Sequence, residues 1–367
     1  HYVEQKKKNT YLEYRIGKMY QYGLGTDENL EQAAEWFSKA AEKEHKYALY
    51  SLGMLYLQGK GVEQNEETAY SLLFRSYSKG NPYAAYELGK LYEAGCGTEK
   101  NQEKSENCYR AAFLGFLNLE KKSKDDTLWY RIGCMYLHGI GTEADETKAE
   151  HYLTKASDYG NAHASYQLAR LYIRQESQKL SGESGTAPDY AKIAKAVKWL
   201  EESAAQENLF ADYALGRLYR EGTLVVADME KAVFHLKRAA DAGNSYAQYQ
   251  LGKIYLEEDT RNIPAAIQYL TLAAKQKNEF AAYRLGKLYL AGEELPKNTE
   301  LALHYLKMAA DTGNQYAQYA LGKVYLIGKD VQQDKELAYD YFFKSAEQGN
   351  IYAAYFLEHW NDMPHPD

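Results

Sequence analysis

Residues Gly313-Asn314-Gln315-Tyr316-Ala317-Gln318-Tyr319-Ala320-Leu321-Gly322-Lys323-Val324-Tyr325-Leu326 repeat almost letter for letter as Gly243-Asn244-Ser245-Tyr246-Ala247-Gln248-Tyr249-Gln250-Leu251-Gly252-Lys253-Ile254-Tyr255-Leu256. The core of this stretch, Leu-Gly followed three residues later by Tyr, recurs along the chain. It stands at Leu52-Gly53, Leu88-Gly89, Leu215-Gly216 and Leu285-Gly286, with Ile at Ile16-Gly17 and Ile132-Gly133 and Ala at Leu168-Ala169. The steps between these nine anchors are 36, 36, 44, 36, 47, 36, 34 and 36 residues. A fixed period of this length marks an array of identical supersecondary units.

Each unit reads as two helices. After Leu321-Gly322 the first helix stops at Gly328. Ala338, Tyr341, Phe342, Ser345 and Ala346 then recur at amphipathic helical spacing. Gly349-Asn350 closes the unit, glycine supplying a left-handed C-terminal residue and asparagine capping the next helix. Gly80-Asn81, Gly160-Asn161, Gly243-Asn244 and Gly313-Asn314 repeat that junction. The small residues Gly53, Ala40 and Ala41 allow close helix crossings.

The pattern Ala-x-Tyr-x-Leu-Gly-x-x-Tyr-x-x-Gly-x-Gly, followed by Ala-x-x-x-Phe/Leu-x-x-Ala-Ala-x-x-Gly-Asn, resembles the Sel-1-like repeat, a relative of the tetratricopeptide repeat. Gly23–Thr26, Gly59–Val62, Gly95–Thr98 and Gly139–Thr142 match its inter-helix loop, whereas Glu257–Asp259 has no glycine and Gly292 and Gly328 keep only the first. The resemblance implies an all-α, right-handed α/α superhelix of nine to ten two-helix units in one continuous solenoid. The units run 11–46, 47–82, 83–126, 127–162, 163–209, 210–245, 246–279, 280–315 and 316–351, with a terminal cap helix at 352–367. Eight extra residues near Asn118–Asp126 lengthen a second helix or its turn. Eleven more within Gln175–Asp189, including Ser-Gly-Glu-Ser-Gly-Thr, read as a mobile loop.

Composition bounds what such an array does. The chain has 367 residues, 37 of them Tyr but only 10 Phe and 6 Pro, and a net charge of −7. That acidity removes a general polybasic footprint for nucleic acid or anionic lipid. No apolar run reaches the ~20 residues of a membrane-spanning helix. Cys96, Cys108 and Cys134 are too few for a disulfide framework, and a reducing, cytoplasmic location is expected. The chain begins at His1, consistent with a removed leader or a cut-out fragment.

No catalytic signature is complete. His-Glu-x-x-His, Cys-x-x-Cys and the phosphate-binding Gly-x-x-x-x-Gly-Lys-Ser/Thr are all missing. Ser76-Tyr77-Ser78-Lys79 fits the Ser-x-x-Lys of serine β-lactamases without its companion elements, and reads as chance. His359 and His365 do not have the spacing of a metal site. The expectation is a protein that is not an enzyme and needs no cofactor or metal.

The resemblance also assigns surfaces, numbered from the anchor glycine. Positions −6, −3, +1 and +4 fall on one helix face and would line a concave groove. Position −3 is Tyr in every unit, a uniformity that suits packing. Position −6 is aromatic or His in nine of ten units and +1 is basic in seven of nine. These two suit binding. Phe210, Tyr246, Phe280 and Tyr316 at −6, with Arg217, Lys253, Lys287 and Lys323 at +1, form the longest regular run. Met54, Thr127 and Cys134 interrupt it in the N-terminal half.

A non-catalytic scaffold that holds a protein or peptide with acidic groups in this groove is therefore expected. The alternative is an accessory module of a nucleic-acid-processing protein, because the stretch quoted first also resembles repeats at the C-terminus of relaxases from Gram-positive conjugative elements. Far-ultraviolet circular dichroism of the chain should show helix without appreciable sheet. A clear sheet component contradicts the paired-helix reading.

Overall fold

The structure, a computed structural model, describes residues 2–180, 182 and 187–360, with side chains from residue 9 onward. Among them are nineteen α-helices and no strand. They alternate as first and second members of pairs: α1 (Tyr2–Tyr22) with α2 (Leu30–Glu42), α3 (Lys46–Gln58) with α4 (Glu66–Ser78), and α5 (Pro82–Ala94) with α6 (Gln102–Glu120). Then come α7 (Asp126–His138) with α8 (Glu146–Asp158), α9 (Ala162–Leu180) with α10 (Tyr190–Ala205), and α11 (Leu209–Glu221) with α12 (Met229–Asp241). The last are α13 (Ser245–Ile254) with α14 (Ile263–Lys275), α15 (Glu279–Ala291) with α16 (Thr299–Asp311), α17 (Gln315–Ile327) with α18 (Lys335–Glu347), and the unpaired α19 (Ile351–Glu358). The chain divides into two compact units, residues 1–168 and 169–367, and each is described by itself.

In eight of the nine pairs an anchor glycine decides how the pair closes, Ala169 taking its place in α9. A methyl group built on Gly17 would lie 2.5 Å from the Phe37 ring, and one on Gly322 would lie 2.9 Å from Phe342. Gly53 faces Leu73, Gly89 faces Tyr109, Gly133 faces Leu153, Gly216 faces Leu236 and Gly286 faces Leu306 in the same way. Each of these partners lies twenty residues beyond its glycine. In the shortest unit Gly252 meets Leu270, eighteen residues on. Phe37, Leu73, Leu153, Leu236, Leu270, Leu306 and Phe342 are fully buried. Burial of such a side chain is worth about 1.5–3 kcal/mol.

Ends are satisfied locally. Asn81, Asn208, Asn244, Asn278, Asn314 and Asn350 cap the first helices of their pairs and are buried at the junctions. The preceding Gly80, Gly243, Gly313 and Gly349 take φ between 73° and 95°. Second helices carry their own caps, Asn29, Asn65, Asn101, Asp145, Asp189, Asp228, Asn262, Asn298 and Asp334. The sequence reading did not pick these out, although an Asn or Asp directly before the second helix is their signal.

Both glycines of the inter-helix loops adopt positive φ, as turns. The second also touches the preceding pair. A methyl group on Gly61 would lie 2.3 Å from the Leu30 carbonyl oxygen, and one on Gly97 would lie 2.2 Å from that of Glu66. In three of the four C-terminal loops that lack this glycine, an acidic residue in the loop meets a base from the pair before, while in the α11–α12 loop Leu224 is buried instead. Lys297 bonds Asp330 at 2.6 Å, Arg220 bonds Glu257 at 2.6 Å, and Arg261 bonds Glu294.

Two insertions resolve differently. The residues around Asn118 lengthen α6 to 19 residues, against 13 for α4. The expected loop Gln175–Asp189 is shorter than its sequence suggests, because α9 continues to Leu180. Glu176 explains the added turns: its buried carboxylate accepts from Lys179 Nζ at 2.8 Å and from the Asp189 backbone N–H at 2.7 Å. Burial raises this carboxyl, but those bonds outweigh it and hold it below the usual range. The remainder of the loop expectation rests on Ser181 and residues 183–186, outside the described residues, as does the cap helix beyond residue 360.

Gly322→Leu forces a side chain into the space of the Phe342 ring. Overpacking of this kind costs about 1–3 kcal/mol. In an array held by nearest-neighbour contacts, the loss should broaden or split the melt seen by calorimetry. An unchanged single transition contradicts the seat.

Candidate functional site

The −3 tyrosines are packing residues with one wet edge. Nine of the ten are half-buried, and Tyr355 on α19 is exposed. Burial raises the phenols of Tyr14, Tyr86, Tyr249, Tyr283 and Tyr319 above their ordinary range. In the C-terminal unit Tyr213, Tyr249, Tyr283 and Tyr319 each also carry the next −6 aromatic. The centroids are 6.3 Å apart for Tyr213 and Tyr246, 5.9 Å for Tyr249 and Phe280, 6.1 Å for Tyr283 and Tyr316, and 6.1 Å for Tyr319 and Tyr352.

The predicted −6 residues stand at the surface. Phe210, Tyr246, Phe280 and Tyr316 are between 44% and 58% exposed. On the same helix face, one turn after each −3 tyrosine, lies the +1 lysine. The Nζ atoms of Lys253, Lys287 and Lys323 are 5.6, 6.0 and 5.8 Å from the ring centres of Tyr249, Tyr283 and Tyr319. The stripe is therefore a run of shared rings, each touched by an aromatic from one side and a cation from the other.

Its four cations are not equivalent. Arg217 is paired within its own helix, its Nη2 at 2.6 Å from Glu221 Oε1. Lys253 is half-buried, and desolvation together with the charges of Arg220 and Arg284 pulls its ammonium below the ordinary range. Lys287 and Lys323 are exposed, and among the described residues neither has a carboxylate partner. Arg220 stands at position +4 of the same face and Arg284 lies off the stripe at −2; the sequence analysis singled out neither.

Between α15 and α17 the stripe opens into a cavity of about 350 Å³. Tyr283, Tyr319, Leu290, Val324 and Ile327 form its walls, and Lys287, Lys323 and Lys329 stand at its edge. Ile327 is 61% exposed. The one acidic residue lining it, Asp330, is already bonded to Lys297.

The N-terminal unit lacks this arrangement. Lys18 bonds Gln21 and Tyr22, and Lys90 is 2.7 Å from Glu87. Arg131 spreads over both Tyr83 and Tyr86.

Other candidate chemistry has structural work. The Ser76 hydroxyl is fully buried, donates to the Lys46 carbonyl at 2.6 Å and accepts from Asn81 Nδ2 at 2.9 Å. Ser345 repeats the first bond to the Gln315 carbonyl. All three cysteines are free thiols. Among the described residues no group of three or more His, Cys, Asp or Glu side chains is placed to hold a metal ion, and no helix is long and apolar enough to cross a membrane. His365 lies outside those residues.

The family model of the Sel1 repeat matches nine segments, 11–45, 46–81, 82–114, 130–161, 162–208, 209–244, 245–278, 280–314 and 315–350. No curated protein matches the chain. Among solved structures, a protective antigen of uropathogenic Escherichia coli with the same repeat fold is 24% identical, with a TM-score of 0.55 over 95% of this chain and 79% of its own. A Sel1 repeat protein from Oxalobacter formigenes is 25% identical, with a TM-score of 0.54 over 88% of this chain and 90% of its own.

The tyrosines make the fold sensitive to alkali. Burial, aided by the charge of Glu87, pushes Tyr50 up to about 12. Burial and the neighbouring Cys134 do the same for Tyr130, and burial with the Asp241 bond does so for Tyr269. Their folded values exceed the ordinary 10, so the neutral phenol is favoured in the folded state. That stability is complete below about pH 10 and is lost as pH rises towards 12. Tyrosinate absorbance at 295 nm should rise together with loss of helical dichroism over this window. Full ionisation with the helices intact contradicts it.

Proposed function

Since this chain belongs to the Sel1 repeat family, whose paired-helix arrays serve as protein-interaction scaffolds, we propose that it is a non-catalytic adaptor that holds an acidic partner segment along its first-helix stripe. One observation carries the reading. Aromatic side chains that could have been buried are instead held 44–58% exposed, in register, beside a row of cations in a chain whose net charge is −7. Rigid aromatics and Arg are the residue types that dominate binding hot spots. A local row of cations in an acidic protein selects acidic partners and repels basic ones.

In this reading Phe210, Tyr246, Phe280 and Tyr316 supply contact area, and Arg217, Lys253, Lys287 and Lys323 supply charge selection. The tyrosines beneath fix both sets in place, so little side-chain freedom is lost on binding. The stripe would form the concave face of the array.

The double substitution Lys253→Glu and Lys287→Glu should leave helical dichroism and melting nearly unchanged, because exposed charges contribute only about 0–1 kcal/mol. Capture of the partner from native extract should be lost. A photo-crosslinking residue at Tyr246 or Phe280 should join the partner, whereas one at Phe234 on α12 should not. Crosslinks confined to Phe234, or capture indifferent to charge reversal, would move the site to the second helices.

A further inference from the structure

The cations of the stripe differ in what already satisfies them, and this singles out one place along it. Arg217 is neutralised by Glu221 and Lys253 is half-buried among other cations. Lys287 and Lys323 keep their charges unpaired among the described residues, and between them lies the 350 Å³ cavity walled by Leu290, Ile327 and two tyrosines. An apolar hollow edged by Lys287, Lys323 and Lys329 has a definite complement. We propose that this cleft seats one apolar side chain of an acidic peptide, with carboxylates on either side of that residue reaching Lys287 and Lys323. The proposal rests on the partner-binding reading above and names the place and the ligand class.

Three features favour this occupant. The volume lies at the small end of ligand cavities, which run about 300–1,000 Å³, and suits a side chain with its adjoining backbone. The two cleft tyrosines already have neighbours within about 6 Å, Lys287 and Tyr316 beside Tyr283 and Lys323 and Tyr352 beside Tyr319, which leaves them less open to a stacked base. Chain geometry also agrees: an extended segment puts alternate side chains on one face, so an apolar residue entering the cleft has the residues two before and two after it on the same face, where carboxylates can reach the lysines.

A random twelve-residue peptide library displayed on phage, panned on the whole chain at low salt, tests this. Enriched peptides should share an apolar residue with Asp or Glu two residues before and two after it. Their synthetic versions, followed by fluorescence polarisation, should weaken tenfold or more on Lys287→Glu with Lys323→Glu, and on Ile327→Asp. The reversal of Lys275, an exposed lysine on α14 away from the stripe, should change affinity less than threefold. Raising salt on the unmodified chain should weaken binding as well, a check that does not depend on any variant folding.

Failure to enrich any peptide, enriched peptides without acidic residues, or displacement by oligo-dT of similar length overturns the proposal. Peptides that survive the Lys287 and Lys323 reversals but are lost on Arg217→Glu with Lys253→Glu overturn the cleft and leave the wider reading standing. Peptides indifferent to all four reversals overturn both.

Discussion

Everything in this molecule is built on a hole of one missing methyl group. Gly17, Gly53, Gly89, Gly133, Gly216, Gly252, Gly286 and Gly322 let a second-helix side chain press directly onto the first-helix backbone. The contact sets how near two helices stand and which way the first helix is turned. Rotation is the functional part. With the glycine facing its partner helix, positions −6, −3 and +1 must face elsewhere, and the stripe of rings and lysines follows from the seat. Where Ser replaces Ala beside it, at Ser105, the hydroxyl bonds the Gly89 carbonyl at 2.8 Å and tightens the same crossing.

Repetition then turns a local contact into a surface. A single exposed aromatic on a helix is unremarkable. Here each −6 ring is propped on the −3 tyrosine of the unit before it, so exposure and rigidity coexist. The cost of presenting apolar area to water is offset within the array by half-burying the supporting ring. That division of labour explains why −3 is invariant along the chain while −6 varies among Tyr, Phe, His and, once, Thr127.

Much of this was legible in the residues. The paired helices, the anchor glycines and the Gly-Asn junctions follow from period and chemistry alone, since each is local to one unit. The −6 residues Phe210, Tyr246, Phe280 and Tyr316 stand at the surface, whereas Lys253 among the +1 residues is half-buried. What escaped were relations between units or between neighbouring side chains. The pairing of Arg217 with Glu221 lies at a readable i, i+4 spacing, yet the sequence alone gives no reason to prefer it over a free Arg. The crowding of Lys253 by Arg220 and Arg284 depends on how successive first helices are set side by side. The longer α9 depended on Glu176, whose partners are a lysine one turn away and a backbone amide thirteen residues on. Periodicity cannot report such contacts.

The loops carry a difference between the two compact units that reaches beyond geometry. In the N-terminal unit, Gly61 and Gly97 let the loop of one repeat rest on the backbone of the repeat before, a steric stop that ions in solution do not touch. In the C-terminal unit the same role falls to Lys297 with Asp330, Arg220 with Glu257 and Arg261 with Glu294, charges at the surface and open to screening. Successive repeats are thus latched in one unit and tethered in the other. Ionic strength becomes a physical handle on compliance in the very unit that presents the unpaired lysines. Raising salt weakens the contacts between successive repeats there and leaves the steric stops of the N-terminal unit untouched.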